Sequence, residues 1–229
     1  MRRLLKELVP PLIFNFYLKL RYRPKRFDQI STKAIKNFTL KFEVLDFKLI
    51  DTSYKYDHKW SWWSRIYEYE LVLDKLKELN CSEKSLIHNT CWGYEGCHIL
   101  FKTELESRYS HIVNSDIQSS RIANTVVHDL KSPCPVEWNE KFDFVLNVST
   151  IEEIDYSHIE IFENLLRMVK IKGYLIVTFD LPGMQLDMFE SLFSKKIQTT
   201  NNPVTGISSA YRMDKFGFLK VGYFVVQRI

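Results

Sequence analysis

The sequence is short of several things at once, and each shortage removes a class of function. It holds only seven glycines in 229 residues, few for a many-glycine phosphate loop. No Walker-type phosphate loop and no Gly-x-Ser-x-Gly nucleophile elbow occurs, so P-loop nucleotide hydrolysis and α/β-hydrolase chemistry lose their signatures. The Gly-x-Gly-x-x-Gly fingerprint is also absent, which disfavours a nicotinamide-dependent oxidoreductase. The four cysteines, Cys81, Cys91, Cys97 and Cys134, form no Cys-x-x-Cys pair. A zinc site or a disulfide framework would need tighter spacing, so no metal is expected and the thiols read as reduced, in a cytoplasmic protein. No apolar run reaches the roughly 18 residues of a membrane span. Internal repeats and low-complexity tracts are missing as well.

What is present is a chain with 45% hydrophobic residues, enough for one sizeable core. The net charge of +4 is unevenly placed. Residues 1–26 hold eight Lys and Arg against one acid, Glu7, so the remainder of the chain is mildly acidic. A nucleic-acid protein with a basic face across its domain is therefore not expected. We divide the chain into an arm, residues 1–26, and an α/β domain, residues 27–229. The arm's apolar stretch, Leu8-Val-Pro-Pro-Leu-Ile-Phe-Asn-Phe-Tyr-Leu18, sits between basic clusters. It lacks a small-residue cleavage site. Such a segment suits an anionic membrane surface, here the inner face. The alternative is packing on its own domain or on a partner subunit.

Residues 27–60 are polar and irregular, with a strand or two expected around 38–50. Residues 61–80 read as a helix, because Ile66, Tyr69, Leu73, Leu76 and Leu79 recur at three- and four-residue intervals. From Ser85 the pattern alternates. Strands are expected at Ser85–Asn89, His111–Ser115, Thr125–His128, Phe142–Val148, Gly173–Phe179 and Lys220–Gln227. Helices are expected at Gly96–Arg108, Ser157–Val169 and Gln185–Phe193. Alternation of this kind predicts a Rossmann-like, doubly wound, mainly parallel sheet covered on both faces. The terminal run should add an antiparallel strand. Lys172-Gly173 reads as a helix-ending glycine that opens the fifth strand.

The most informative stretch is Ser85–Asp116. A strand runs into Cys91-Trp-Gly93-Tyr-Glu-Gly96, a helix follows, and a second strand stops on Asp116, twenty residues after Gly96. That order is how an open α/β sheet holds a nucleotide-like ligand. Glycines let the backbone approach, and the acid takes a ribose hydroxyl pair. Gly93 and Gly96 are turn glycines in either case. Trp92 and Tyr94 either close over the ligand or pack the turn. Asp129 follows the third strand by the same logic as Asp116, with Leu130 beside it as an apolar wall. Asn147 and Ser149 end the fourth strand at the carboxyl edge, where ligands bind in open sheets.

Glu152 and Glu153 come next. They are either carboxylates that orient or deprotonate an acceptor, or a helix-start pattern in which Ser149 and Glu152 form a capping box. His158 is the candidate base by residue type. His58 sits in the Tyr54–Trp63 aromatic cluster, and for it as for His158 the alternative is an ordinary surface or core histidine. The run Trp60-Ser-Trp62-Trp63 suits either a sugar-stacking or membrane-interface role or a helix over a cleft.

The ordered blocks resemble the class I S-adenosylmethionine-dependent methyltransferases. Ile87–Gly96 resembles their first motif, and Val113-Asn-Ser-Asp116 the block whose acid meets the cofactor ribose. Val127-His-Asp129-Leu resembles the adenine-contacting block. Lys141–Glu153 and Leu166–Thr178 resemble the blocks of strands four and five. The arm with Pro10-Pro11 is similar to the leading segment of methyltransferases of bacterial surface-polysaccharide biosynthesis. The resemblance implies S-adenosylmethionine as cofactor, held by Asn89, Trp92, Gly93, Gly96, Asp116, Asp129, Leu130 and Asn147. It implies a carbohydrate or other small hydroxyl or amine acceptor. Two departures stand out. His88-Asn89 replaces the family's strand-one acid, and two glycines stand where three are usual. A methyltransferase-like protein without activity, serving in binding or scaffolding, is the second reading.

Overall fold

The computed structural model describes residues 65–90, 96–117, 125–180, 204–207, 211–213, 217–219 and 221–229. The arm at 1–26, the expected strands near 38–50, the 58–63 aromatic run and the expected helix at 185–193 lie outside them, as do Trp92, Gly93 and Tyr94. The described elements are helix α1 (Arg65–Glu78), strand β1 (Leu86–Thr90), helix α2 (Gly96–Arg108), β2 (His111–Asp116), β3 (Thr125–Val127), β4 (Phe142–Val148), helix α3 (His158–Met168), β5 (Val169–Asp180), β6 (Val204–Ile207), β7 (Tyr211–Met213), β8 (Gly217–Leu219) and β9 (Val221–Gln227).

Seven strands form one sheet in the order β3-β2-β1-β4-β5-β9-β6, and β7 pairs with β8 in a separate hairpin. The five strands from β3 to β5 are parallel, while β9 runs antiparallel to both β5 and β6. This is the Rossmann-like sheet with an antiparallel C-terminal strand that the alternating pattern predicts.

Side chains alternate across the sheet, as a period of two requires. Ile87, Phe144, Leu146, Ile176 and Tyr223 are buried with Leu76 of α1 and Phe101 and Leu105 of α2. Val145, Leu175, Val177, Phe224 and Val226 are buried on the other face with Phe162 and Leu165 of α3. In α1, Leu71 and Val72 are buried along with Tyr69, Leu73 and Leu76, so the covered face is wider than a single stripe. Tyr69 stacks on Phe101 with ring centroids 4.1 Å apart. The helix ends in a Schellman motif. Asn80 takes a left-handed φ of 58°, and Cys81 N donates to Leu76 O at 2.8 Å.

The expected role of Lys172-Gly173 is corrected. Helix α3 ends at Met168, and β5 begins at once with Val169, before the glycine. Gly173 is required by crowding: a Cβ there would lie 2.8 Å from Asp143 O and 2.9 Å from Val169 Cγ1. The β4–β5 register also shifts between Phe142 and Phe144. Opposite, Arg228 ties the chain end to α3. Its guanidinium donates to the carbonyls of Arg167 (3.0 Å) and Val169 (2.8 Å) and pairs with Glu140 at 2.7 Å.

Candidate functional site

Strand order creates the site. From β1 the chain winds to β2 and β3 on one side, then returns to place β4 on the other. The crevice outside the carboxyl ends of β1 and β4 is the switch point where open sheets take ligands. Thr90 and Asn147 face each other there, in register.

Asn147 is fully buried and donates its amide Nδ2 to Thr90 Oγ1 at 3.0 Å. The Thr90 hydroxyl in turn donates to Leu146 O at 2.8 Å. Asn147 Oδ1 is buried and has no hydrogen-bond partner among the described residues. A buried amide oxygen left so is costly, and a donor from a ligand or an ordered water would satisfy it. One residue on, β4 stops at Val148, and Ser149 takes a left-handed φ of 44°. Its N–H still donates to Thr178 O at 2.8 Å, so the bend is held by β5. Backbone strain of this sort is typical of ligand sites.

The acids divide. Asp116 is half-buried at the end of β2, and its carbonyl accepts from His128 N at 2.9 Å. Asp129 Oδ1 accepts from Lys131 N at 3.0 Å, and its Oδ2 is 3.8 Å from Lys131 Nζ, so this carboxylate shapes its own turn. Leu130 is packed into the α3-side core instead of standing open as a wall. Asn89 is turned toward α2 and buried, its Nδ2 donating to Asn114 Oδ1 at 3.0 Å. Gly96 is the first residue of α2.

The Ser149–Glu152 pattern meets side chain to side chain, with Ser149 Oγ donating to Glu152 Oε1 at 2.8 Å. The helix start lies further on: Ser157 caps α3 by accepting from Glu160 N at 3.4 Å. Glu152 is half-buried and Glu153 is exposed, both in a single 3-10 turn beside β4. His158 is buried as the first residue of α3.

The sequence did not show that two histidines, His88 and His128, meet the same indole. His88, at the centre of β1, is fully buried, and its Nε2 meets Ser115 Oγ at 2.8 Å. Its ring lies 4.5 Å from Trp138 and 4.6 Å from Phe142, and His128 approaches the same indole at 5.0 Å. His88 Nδ1 and His128 Nε2 are buried and have no hydrogen-bond partners among the described residues. Burial, then the charges of His128 and Lys141, push His88 down to about 3, and burial lowers His128 as well. Both rings are therefore neutral at physiological pH. The signal in the sequence was three polar strand ends side by side: His88-Asn89-Thr90, Asn114-Ser115-Asp116 and Asn147. Among the described residues no three or more His, Cys, Asp or Glu side chains group as metal ligands, and no helix is long and apolar enough to cross a membrane.

No protein-family model and no curated protein matches the sequence. Solved structures do match in shape. One is the CMeT domain of the citrinin polyketide synthase, at 12% identity and TM-score 0.51, covering 69% of this chain and 50% of that one. Another is the CurJ carbon methyltransferase, at 9% identity and TM-score 0.52, covering 72% and 55%. The chain carries a methyltransferase fold. It spans about half the length of those two proteins. The cyclase SpnF matches over more of both chains, 90% of this one and 95% of its own, at 11% identity and TM-score 0.52. A fold that includes a protein named for cyclisation does not by itself choose the reaction.

Proposed function

We propose that this chain binds S-adenosylmethionine and methylates a carbohydrate or other small hydroxyl or amine acceptor in surface-polysaccharide biosynthesis. The observation that carries this reading is the orphaned acceptor Asn147 Oδ1 at the switch point of a methyltransferase-fold sheet. The groups gathered there fit a ligand rich in N–H and O–H donors. Asp116 offers carboxylate oxygens at the end of β2, and Asn147 offers its amide oxygen at the end of β4. Ribose hydroxyls, an adenine amine and an ammonium are such donors. Bound there, S-adenosylmethionine would supply an activated methyl sulfonium.

In-line displacement asks the protein mainly to hold the reacting groups in position. A hydroxyl acceptor also asks for a base. Glu152 is the carboxylate best placed for this role, because Ser149 already orients it at 2.8 Å beside the β4 edge. Glu153 stands next to it in the same turn. His158, buried under the start of α3, is the weaker candidate.

A second reading is favoured by Asn89 in place of the strand-one acid: a methyltransferase-like protein that binds or scaffolds without catalysis. Isothermal titration with S-adenosylmethionine and S-adenosylhomocysteine separates the two. Absence of binding at millimolar ligand removes the enzyme reading. Transfer of a labelled methyl group to sugar acceptors tests the substrate class. The polysaccharide context rests on the likeness of the arm, and its basic, aromatic composition supports an anionic membrane as partner. Deleting residues 1–26 should abolish co-flotation with anionic vesicles; undiminished flotation would remove that contact.

A further inference from the structure

A polar relay runs from the middle of α2 to the end of β1. Lys102 Nζ donates to Glu106 Oε1 at 2.6 Å, Asn114 Nδ2 donates to the same oxygen at 3.0 Å, and Asn89 Nδ2 donates to Asn114 Oδ1 at 3.0 Å. Asn89 and Asn114 are in register on adjacent parallel strands. Lys102, Asn89 and Asn114 are buried. Glu106, with 36% of its side chain exposed, is the member nearest solvent.

The direction of this relay is not free. A carboxylate carries no hydrogen, so Asn114 must turn its NH2 to Glu106. The Asn114 oxygen then faces Asn89, which must answer with its own NH2. The Asn89 oxygen becomes the acceptor end, one residue before the carboxyl edge of β1. Amide orientation is usually ambiguous in a structure. Here a single carboxylate two residues away decides it, and the buried Lys102 ammonium holds that carboxylate in place.

We propose that Glu106 is a positioning residue that, through Asn114, orients the Asn89 amide so that β1 presents an acceptor oxygen to the ammonium of the cofactor's amino-acid portion. The inference rests on the S-adenosylmethionine reading above. It explains how a neutral residue serves where a carboxylate would otherwise stand: the Glu106–Lys102 pair on α2 fixes the direction of the amides, and the relay leaves the Asn89 oxygen as the acceptor end.

The test compares S-adenosylhomocysteine with 5′-methylthioadenosine, which lacks the amino-acid portion. Glu106→Gln alone would keep its amide oxygen facing the Lys102 ammonium and Asn114, so the variant used is Lys102→Met/Glu106→Gln, in which the Gln amide can turn its hydrogens to Asn114 and both asparagines can flip. The expected result is at least a tenfold weaker affinity for S-adenosylhomocysteine, about 1.4 kcal/mol, with 5′-methylthioadenosine within twofold of the unmodified protein. With Asn89→Asp added to that variant the bonds run the other way, with the carboxylate at the β1 end, and S-adenosylhomocysteine binding should return. Equal loss for both ligands, or no loss for S-adenosylhomocysteine, overturns the relay. Failure of the unmodified protein to bind either ligand overturns the cofactor reading itself, and the relay's role with it. If thermal unfolding shows that the Lys102→Met/Glu106→Gln variant does not fold, Lys102→Met/Glu106→Met, which leaves no acceptor to fix Asn114, carries the same comparison.

Discussion

Asn147 reaches across the β4–β1 seam and gives its amide hydrogen to Thr90 Oγ1 at 3.0 Å, and its oxygen is buried with no donor among the described residues. That one bond fixes which atom of the amide is left over. Asn147→Leu removes the orphan along with one hydrogen bond, and Thr90 keeps its bond to Leu146 O. The expected stability change is within about 1 kcal/mol. Affinity for S-adenosylhomocysteine should nonetheless fall at least tenfold by titration calorimetry. Unchanged affinity would take Asn147 out of the site.

Asp116→Ala should weaken cofactor binding by more than tenfold while leaving the thermal unfolding midpoint nearly unchanged. Asp116 is half-buried at the strand end, outside both hydrophobic clusters. An unchanged dissociation constant would remove the ribose assignment.

The buried histidines make stability depend on pH. His88 is held near 3, well below the roughly 6.5 of an unfolded chain, and His128 is lowered in the same direction. Below about 6.5 the unfolded state binds protons that the folded state refuses. Stability is therefore complete above that pH and declines as pH falls toward 3. Urea midpoints taken from pH 7 to pH 4.5 should fall steadily. His88→Phe keeps a ring against Trp138 and Phe142 and should flatten that slope. An equal slope in the variant would show that other groups carry the acid sensitivity.

Arg228 closes the end of α3 with a fork that lysine cannot reproduce. It contacts the carbonyls of Arg167 and Val169 and the Glu140 carboxylate, and its side chain is mostly buried. Arg228→Ala is expected to cost about 1–3 kcal/mol in chemical denaturation. Arg228→Lys should recover less than half, since a single ammonium cannot serve all these acceptors. Full recovery would reduce the role to simple charge.

Two glycines are set by crowding. At Gly222 a Cβ would come within 2.3 Å of the Phe179 ring, and at Gly173 within 2.8 Å of a backbone oxygen. Each glycine-to-alanine change should lower stability by about 1–3 kcal/mol. Gly222→Ala paired with Phe179→Leu should recover part of the loss. Gly173→Ala has no such remedy, because backbone does not yield as a side chain does.

Much of the fold was legible because it is written in local periods. Phe142–Val148 and Gly96–Arg108 alternate or repeat within a few residues, and those elements stand where the pattern places them. Strand β5 was read short. At its start Val169 pairs with Phe142 across a register shift and Lys172 N donates to Arg228 O at 2.7 Å, neither of which a local pattern announces. The short strands β6, β7 and β8 carry too few residues for a period to show.

The site was legible as positions but not as contacts. The sequence by itself determined that polar residues end β1, β2 and β4, and that Asp116 stands twenty residues beyond Gly96. Only the tertiary structure decided what those residues do. Asn147 and Thr90 meet across 57 residues of chain, Asn89 and Asn114 across 25, and His88 and Ser115 across 27. Periodicity fixes which face of a strand a side chain takes, because that depends on the residue's own neighbours in sequence. Which atom faces a buried amide depends on strand order and register, and those are settled when the sheet assembles.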